Sequence, residues 1–147
     1  MDKCCKMASV YIASFKALAL VHQHNHWTTK GLSFYGDHLL FEKLYDKALE
    51  DLDVAAEKFI GVFGEECLGY DMQIDFLSKG LAHYSDLDGS PLEMSLAIEE
   101  DVNKLCKDAY NCFKEEGKLT LGIDDMIMSL ASNREESMYL LKQALKK

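Results

Sequence analysis

The stretch that decides the fold runs from His26 to Glu57 and reads HWTTKGLSFYGDHLLFEKLYDKALEDLDVAAE. Its last twenty or so residues alternate apolar and charged side chains in the rhythm of one long helix. On such a helix His38 and Glu42 lie one turn apart, and the same spacing recurs at Asp53 and Glu57. Each pair therefore offers a metal ion two ligands from one face of the helix.

The two pairs cannot bind the same metal ion within one chain. Asp53 lies fifteen residues beyond His38, which corresponds to about 22 Å along a helix. The sequence also lacks the Glu-x-x-His motif with which four-helix bundles usually build a di-iron site inside one subunit. Two antiparallel copies of the helix, packed across a two-fold axis, would bring the His38 end of one beside the Asp53 end of the other.

Length and composition favour one all-α domain that spans residues 1–147. The chain has 147 residues and one proline, and long stretches without turn residues favour helices over many short strands. Its net charge of −9 disfavours nonspecific binding to nucleic acid, and it favours cations over acidic molecules as binding partners.

Four main helices are expected. The first covers residues 5–28, and the second runs from Ser33 or Phe34 to residue 62, closed by Gly64. Residues 65–89 form a long connection with one short helix. A capping-box sequence that begins at Ser90 starts the third helix, and the fourth opens near Ile123 and ends in Lys142, Lys146 and Lys147. This order predicts a four-helix bundle with a crossover of the ferritin kind.

The five cysteines, Cys4, Cys5, Cys67, Cys106 and Cys112, form no CxxC pair. Their odd number and the length of the chain indicate a reducing interior without a disulfide framework. The apolar segment 8–21 contains Lys16, is too short for a membrane span and precedes no cleavage site of a signal peptide. The expected location is therefore the cytoplasm.

The central stretch resembles the Dps family of miniature ferritins (DNA-binding proteins from starved cells). The likeness is weaker but continuous through the third and fourth helices, so that it covers nearly the whole chain. The matching residues are His26-Trp27, Gly31, Phe34, His38, Phe41-Glu42, Tyr45, Asp53 and Ala56-Glu57.

The resemblance implies a hollow shell of twelve subunits, built from two-fold dimers, with di-iron ferroxidase centres at the two-fold interfaces. Asp53 and Glu57 of one subunit would bind iron together with His26 of its neighbour. His38 and Glu42 beside that His26 would form the second, weaker iron position. Many members of the family have aspartate where Glu42 stands. Trp27 resembles the tryptophan next to the family's centre, which takes up a stray oxidising equivalent.

The family reaction, implied in the same way, is oxidation of Fe(II) by hydrogen peroxide, or by oxygen, with storage of the ferric mineral in the cavity. It protects the cell from oxidative damage. Direct DNA binding in the family depends on a lysine-rich tail. Here the N-terminus offers only Lys3 and Lys6 beside Asp2, and a shell of such acidic chains repels DNA at ordinary salt.

Two other functions remain open at this point. One is a non-enzymatic Dps-like shell that binds DNA or has a structural role, and the other is a small helical bundle that binds a partner through its apolar first helix.

Among the remaining polar residues, His22 is either a partner of the ligand His26 or a polar residue near an interface. Asp124 and Asp125 are first-turn partners of the helix dipole or, less simply, residues of an iron entry pore. A solvated helix face is expected to contain Asp37, Asp46, Glu50 and Asp51.

Overall fold

The structure, a computed structural model, describes residues 2–146. Four of its helices form an antiparallel bundle, and α3 lies in the connection between α2 and α4, where it packs against α1. The expected all-α bundle with a long crossover is confirmed, although α3 has 16 residues and is longer than anticipated. Lys147, expected at the end of the last helix, lies outside the described residues. The helices are α1 Lys3–Thr28, α2 Phe34–Phe63, α3 Tyr70–Ser85, α4 Pro91–Glu115 and α5 Leu121–Leu145, with a 3₁₀ turn at Glu65–Leu68.

Helix α1 lies at the centre of the fold and contacts α2, α3 and α4. Tyr11, Phe15 and Leu18 on this helix are fully buried. By length and composition α1 could cross a membrane, with a mean hydropathy of 1.5 in its most apolar window, but 67% of that window is buried inside the bundle. Its apolar character on several faces is therefore explained by neighbouring helices that cover it.

Local sequence signals set the helix boundaries. Ser90 and Glu93 form the predicted capping box, because each side chain accepts a hydrogen bond from the other residue's backbone N–H, at 3.2 and 3.3 Å. Gly64 ends α2 with a φ of 92°, a conformation that favours glycine. Helix α5 begins two residues before Ile123, since the Thr120 hydroxyl accepts a hydrogen bond from the backbone N–H of Ile123 at 3.1 Å.

The bundle has two apolar clusters. In the larger one the Phe59 ring packs against Tyr11, Phe63 and Phe113, with ring centroids 5.5 to 5.9 Å apart. A smaller cluster of Phe41, Leu44 and Leu141 is fully buried near the start of α2. This second cluster fixes the segment of α2 that carries His38.

Two of the cysteines are joined by a disulfide, so the expectation of an interior without disulfides is wrong for this pair. Cys5 at the start of α1 is bonded to Cys67 in the 3₁₀ turn, 62 residues later. The spacing of cysteines along a sequence carries no information about such a pairing. Cys106 is buried and Cys112 is half-buried, as expected for residues of the core and its flank.

Candidate metal centre

His26 and His38 meet where the end of α1 approaches the start of α2. Their rings are stacked, with centroids 3.7 Å apart and planes inclined by 16°. His26 Nδ1 donates a hydrogen bond to the carbonyl oxygen of His38 at 2.7 Å, and His38 Nδ1 donates to the carbonyl oxygen of His26 at 2.8 Å. The two backbones therefore hold the two rings reciprocally.

These hydrogen bonds fix the tautomer of both imidazoles. A carbonyl oxygen can only accept, so each Nδ1 must carry a proton, and in the neutral ring the lone pair lies on Nε2. Within residues 2–146 neither Nε2 atom has a hydrogen-bond partner. Metal-ligating histidines are commonly oriented in this way, by a hydrogen bond from the nitrogen that does not bind the metal.

Aromatic side chains surround the histidine pair. Phe34 stacks on His38 at 5.0 Å between centroids, and the Tyr45 ring meets His26 edge-on at 5.4 Å. The pKa of the Tyr45 phenol is raised, first by desolvation and then by the negative charges of Asp46 and Glu42. These rings restrict the motion of both imidazoles. Trp27, which follows His26 in the chain, is 67% exposed.

Glu42 lies one turn beyond His38 and is half-buried. It lines a groove of about 460 Å³ between α2 and α5, together with other acidic side chains such as Asp46 and Glu136. The predicted proximity of His38 and Glu42 on one helix therefore holds in the structure, and both lie at the same end of α2 as His26.

Asp53 and Glu57 lie further along the same unbroken helix and are both exposed. Among residues 2–146 neither carboxylate has a hydrogen-bond or ion-pair partner. At 1.5 Å per residue the fifteen positions from His38 to Asp53 separate the two pairs by about 22 Å. Consistent with this distance, no group of three or more His, Cys, Asp and Glu side chains in the described chain lies close enough to hold a metal ion.

The surface that carries Asp53 and Glu57 is also apolar. Leu49, one turn before Asp53, is 46% exposed, and Ile60, one turn after Glu57, is 44% exposed. Val54 beside them is 49% exposed. Large apolar side chains that share an exposed face with unpaired carboxylates are typical of a surface that contacts another molecule.

The structure also contains a buried polar network that the sequence analysis missed. His22 Nε2 lies 2.9 Å from Glu99 Oε1, and its Nδ1 lies 2.9 Å from Ser95 Oγ. Arg134 Nε lies 3.0 Å from Glu99 Oε2, and Arg134 Nη2 donates to Asp51 Oδ2 at 2.9 Å. The network joins α1, α2, α4 and α5 through the middle of the bundle.

Asp51 is buried, so the expectation that it lies on a solvated helix face is wrong. It is 2% exposed, whereas Asp46 and Glu50 on the same helix are exposed as predicted. Burial raises the pKa of the Asp51 carboxyl, and the positive charges of Arg134 and Lys47 oppose that shift. One signal could have revealed the network, because Arg134 is the only arginine among the 16 basic residues of the sequence, and arginine is the preferred cation for buried ion pairs.

The ring nitrogens of His22 contact Ser95 and Glu99 rather than His26, so the structure does not show the role of a direct partner of His26. His22 is fully buried one turn before His26 and ties α1 to α4 through Glu99. Asn25 adds a second tie, since its Nδ2 donates to the carbonyl oxygen of Pro91 at 3.0 Å and to Ser95 Oγ at 2.8 Å. These contacts fix the end of α1 that presents His26.

Comparison with known proteins identifies the fold. No protein-family model and no curated protein sequence matches the chain. Solved structures do match: Dps from Thermosynechococcus elongatus has a TM-score of 0.81 at 19% identity and covers 99% of this chain and 91% of its own. Dps from Staphylococcus aureus has a TM-score of 0.78 at 20% identity, covering 98% and 95%.

A third match is the DPS protein from Vibrio cholerae O1, described as a member of a broad superfamily of ferritin-like diiron-carboxylate proteins. Its TM-score is 0.79 at 15% identity, and the match covers 98% of this chain and 89% of that one. The chain therefore has the fold of Dps proteins over nearly its whole length. The resemblance drawn from residues 26–57 is confirmed at the level of the fold.

Proposed function

We propose that this protein is a ferroxidase and an iron-storage miniferritin, which oxidises Fe(II) with hydrogen peroxide at di-iron sites between subunits of a cytoplasmic twelve-subunit shell. The observation that carries the proposal is the division of the ligand set. Within residues 2–146 His26 Nε2 and the carboxylates of Asp53 and Glu57 have no hydrogen-bond partner, and Asp53 lies about 22 Å further along α2 than His38, whose ring stacks on His26. In this proposal a second copy of the chain supplies the missing half of each site.

Fe(II) is the substrate in this proposal. One ion is bound by Asp53 and Glu57 of one subunit and by His26 of the neighbouring subunit, and a second, weaker position is formed by His38 and Glu42. Carboxylate oxygens and imidazole nitrogens are suitable ligands for iron. The exposed apolar residues beside Asp53 supply the contact surface between the subunits.

The reaction balances with two iron ions per peroxide. Each Fe(II) loses one electron, the O–O bond of the peroxide accepts both electrons and two protons, and two water molecules are formed. Because the electrons are transferred as a pair, no hydroxyl radical is released. We expect Trp27, which is exposed and follows His26 in the chain, to be oxidised when only one iron ion is present. The ferric product is stored as mineral inside the shell.

The deciding experiment replaces both carboxylates, in the variant Asp53→Ala/Glu57→Ala. The purified apo-protein is mixed with Fe(II) and peroxide, and both ferric absorbance and peroxide consumption are followed. We expect the rate to fall to that of Fe(II) and peroxide in buffer, with one peroxide consumed per two iron ions in the unmodified protein. An unchanged rate in the variant would refute the proposal.

The chain offers a matched control on the same helix. Asp46 and Glu50 have the same spacing and charge and are also exposed, and the variant Asp46→Ala/Glu50→Ala should keep the full rate. Native mass measurement of all three proteins checks the assembly separately, and a mass of about twelve chains is expected. DNA binding is not part of the proposal, since a net charge of −9 per chain repels phosphate backbones.

A further inference from the structure

The disulfide between Cys5 and Cys67 takes no part in the proposed iron centre. It joins the first turn of α1 to the 3₁₀ turn that follows α2. The proposed function places this bond in the reducing cytoplasm, where disulfides are rare and those that form are usually transient, with a catalytic or redox-sensing role. The bond is therefore a candidate for reversible chemistry as well as a structural link.

Both cysteines line a surface pocket of about 300 Å³ between the start of α1 and the end of α2. Cys5 is 7% exposed and Cys67 is 2% exposed. The other walls of the pocket are apolar and charged side chains, among them Phe63 and Lys118. Hydrogen peroxide is small and uncharged, and the reactive end of a low-molecular-weight thiol is of similar size. Both reagents therefore reach the bond from solvent without unfolding of the bundle.

The two cysteines lie at opposite ends of helix dipoles. Cys5 is the third residue of α1, and the partial positive charge at the N-terminus of a helix stabilises a thiolate. The Cys67 sulfur lies 4.0 Å from the carbonyl oxygen of Phe63, the last residue of α2, where the partial charge is negative and a protonated thiol is favoured. Lys118 and Asp2 beside Cys5 form an ion pair at 3.7 Å, so their charges largely offset each other. The surroundings thus favour the thiolate at Cys5 and the thiol at Cys67.

Contacts other than the disulfide hold the 3₁₀ turn against α1. The Ser9 hydroxyl on α1 donates a hydrogen bond to the carbonyl oxygen of Cys67. Lys16 on α1 donates to the side chain of Gln73, and Gln73 Nε2 donates to the carbonyl oxygen of Leu68 at 2.6 Å. None of these contacts involves sulfur, so they persist when the disulfide is reduced. The two thiols then stay close together, and the bond re-forms as an intramolecular reaction.

We propose that Cys5 and Cys67 form a redox-active site that reduces hydrogen peroxide at the expense of low-molecular-weight thiols, without iron. The Cys5 thiolate attacks one oxygen of the peroxide, the O–O bond breaks, and the hydroxide that leaves takes up a proton to form water. The product at Cys5 is a sulfenic acid. The sulfur of Cys67 then attacks the sulfur of this acid, so that an S–S bond replaces the S–O bond and the hydroxyl group leaves with the thiol proton as a second water.

The pair is restored by thiol–disulfide exchange. A first external thiolate attacks the disulfide and forms a mixed disulfide with one cysteine, while the other leaves as a thiolate and is protonated. A second external thiol releases the first cysteine, and one external disulfide is formed. Over the cycle two external thiols lose two electrons and one peroxide accepts them. The inference rests on the proposed function only for the peroxide and the cytoplasmic location.

The test uses the full chain in the presence of an iron chelator, so that Fe(II) cannot consume peroxide. The folded protein is reduced with dithiothreitol, separated from it without oxygen and given one equivalent of hydrogen peroxide. Alkylation and mass measurement should count all five cysteines of the sequence as free thiols before peroxide and three afterwards, with Cys5 and Cys67 joined in the peptide map. Five thiols that persist after peroxide would overturn the proposal, as would a disulfide that dithiothreitol reduces only in denaturant.

Variants test the two roles. In reduced Cys67→Ser the sulfenic acid has no partner thiol, so dimedone should trap it at Cys5. Trapping at Cys67 in Cys5→Ser should be slower by about tenfold or more, since that residue lacks the position that favours a thiolate. Cys112→Ser replaces a half-buried free thiol and should behave as the unmodified protein. Equal rates of trapping in Cys5→Ser and Cys67→Ser would overturn the assignment.

This inference and the proposed iron chemistry fail separately. Asp53 and Glu57 do not line the pocket, so the variant Asp53→Ala/Glu57→Ala should oxidise its reduced Cys5 and Cys67 at the unmodified rate. Loss of that reaction in a folded variant would contradict a site that works without iron. Loss of iron oxidation in the same variant supports the iron centre and leaves the thiol count unchanged.

Discussion

The disulfide between Cys5 and Cys67 allows a stability prediction whose size follows from the topology. The bond closes a loop with a sequence separation of 62 residues. Cross-linking a loop of that length reduces the entropy of the unfolded chain, which corresponds to about 4 kcal/mol of stabilisation at 25 °C. We therefore expect Cys5→Ala/Cys67→Ala to lower the free energy of unfolding by about that amount.

The assay is guanidinium unfolding followed by circular dichroism, with all proteins at one concentration because assembly makes stability depend on concentration. The single variant Cys67→Ala should lose nearly as much stability as the double variant, since either change breaks the bond. Cys112→Ala is the control, because Cys112 is a half-buried free thiol. A double variant as stable as the unmodified protein would refute the entropy argument.

The same variant separates stability from the proposed chemistry. Cys5 and His26 lie on one continuous helix, 21 residues apart, or about 32 Å along its axis. The disulfide is therefore too far from the histidine pair to contact it. We expect a folded Cys5→Ala/Cys67→Ala protein to oxidise Fe(II) at the unmodified rate, and a large loss of rate would contradict this separation.

Two further predictions concern the metal centre and the bundle. His38→Ala removes the ring stack on His26 and the hydrogen bond to its carbonyl oxygen, so Co(II) affinity measured by calorimetry should fall about 10–100-fold. His24→Ala, on an exposed position of the same helix end, should leave the affinity unchanged, and equal losses in both variants would argue against a specific role of the stack. Ser90→Ala breaks the capping box of α4 and should lower the free energy of unfolding by about 1 kcal/mol. Ser90→Gly should lower it by only a few tenths of a kcal/mol. A larger loss of stability in Ser90→Gly than in Ser90→Ala would contradict the capping argument.

Much of the fold could be read from local patterns. The capping box at Ser90, the glycine that ends α2 and the apolar repeats of the long helices all act within one or two turns of the chain. The sequence does not reveal Thr120 as the residue that caps the start of α5, because a lone threonine is a weaker start signal than a complete capping box. The length of α3 was underestimated because its glycine and its mixed polar pattern resemble those of a loop.

The candidate metal centre was predictable in part. The i, i+4 spacing of His38 with Glu42 and of Asp53 with Glu57 depends only on the helical period. The reciprocal hydrogen bonds of His26 and His38 could not be foreseen, because they depend on the path of the five-residue connection between α1 and α2. That path brings the centroids of the two rings to a distance of 3.7 Å.

The sequence by itself therefore determined the main helices, their order and the separation of His38 and Glu42 from Asp53 and Glu57 along α2, because these features depend on residues close together in the chain. Only the tertiary structure decided which charges are buried and which cysteines are bonded. Asp51 and Arg134 are 83 residues apart, and His22 and Glu99 are 77 apart. Whether such residues meet depends on which helix faces pack together, and that is a property of the whole bundle rather than of any single stretch.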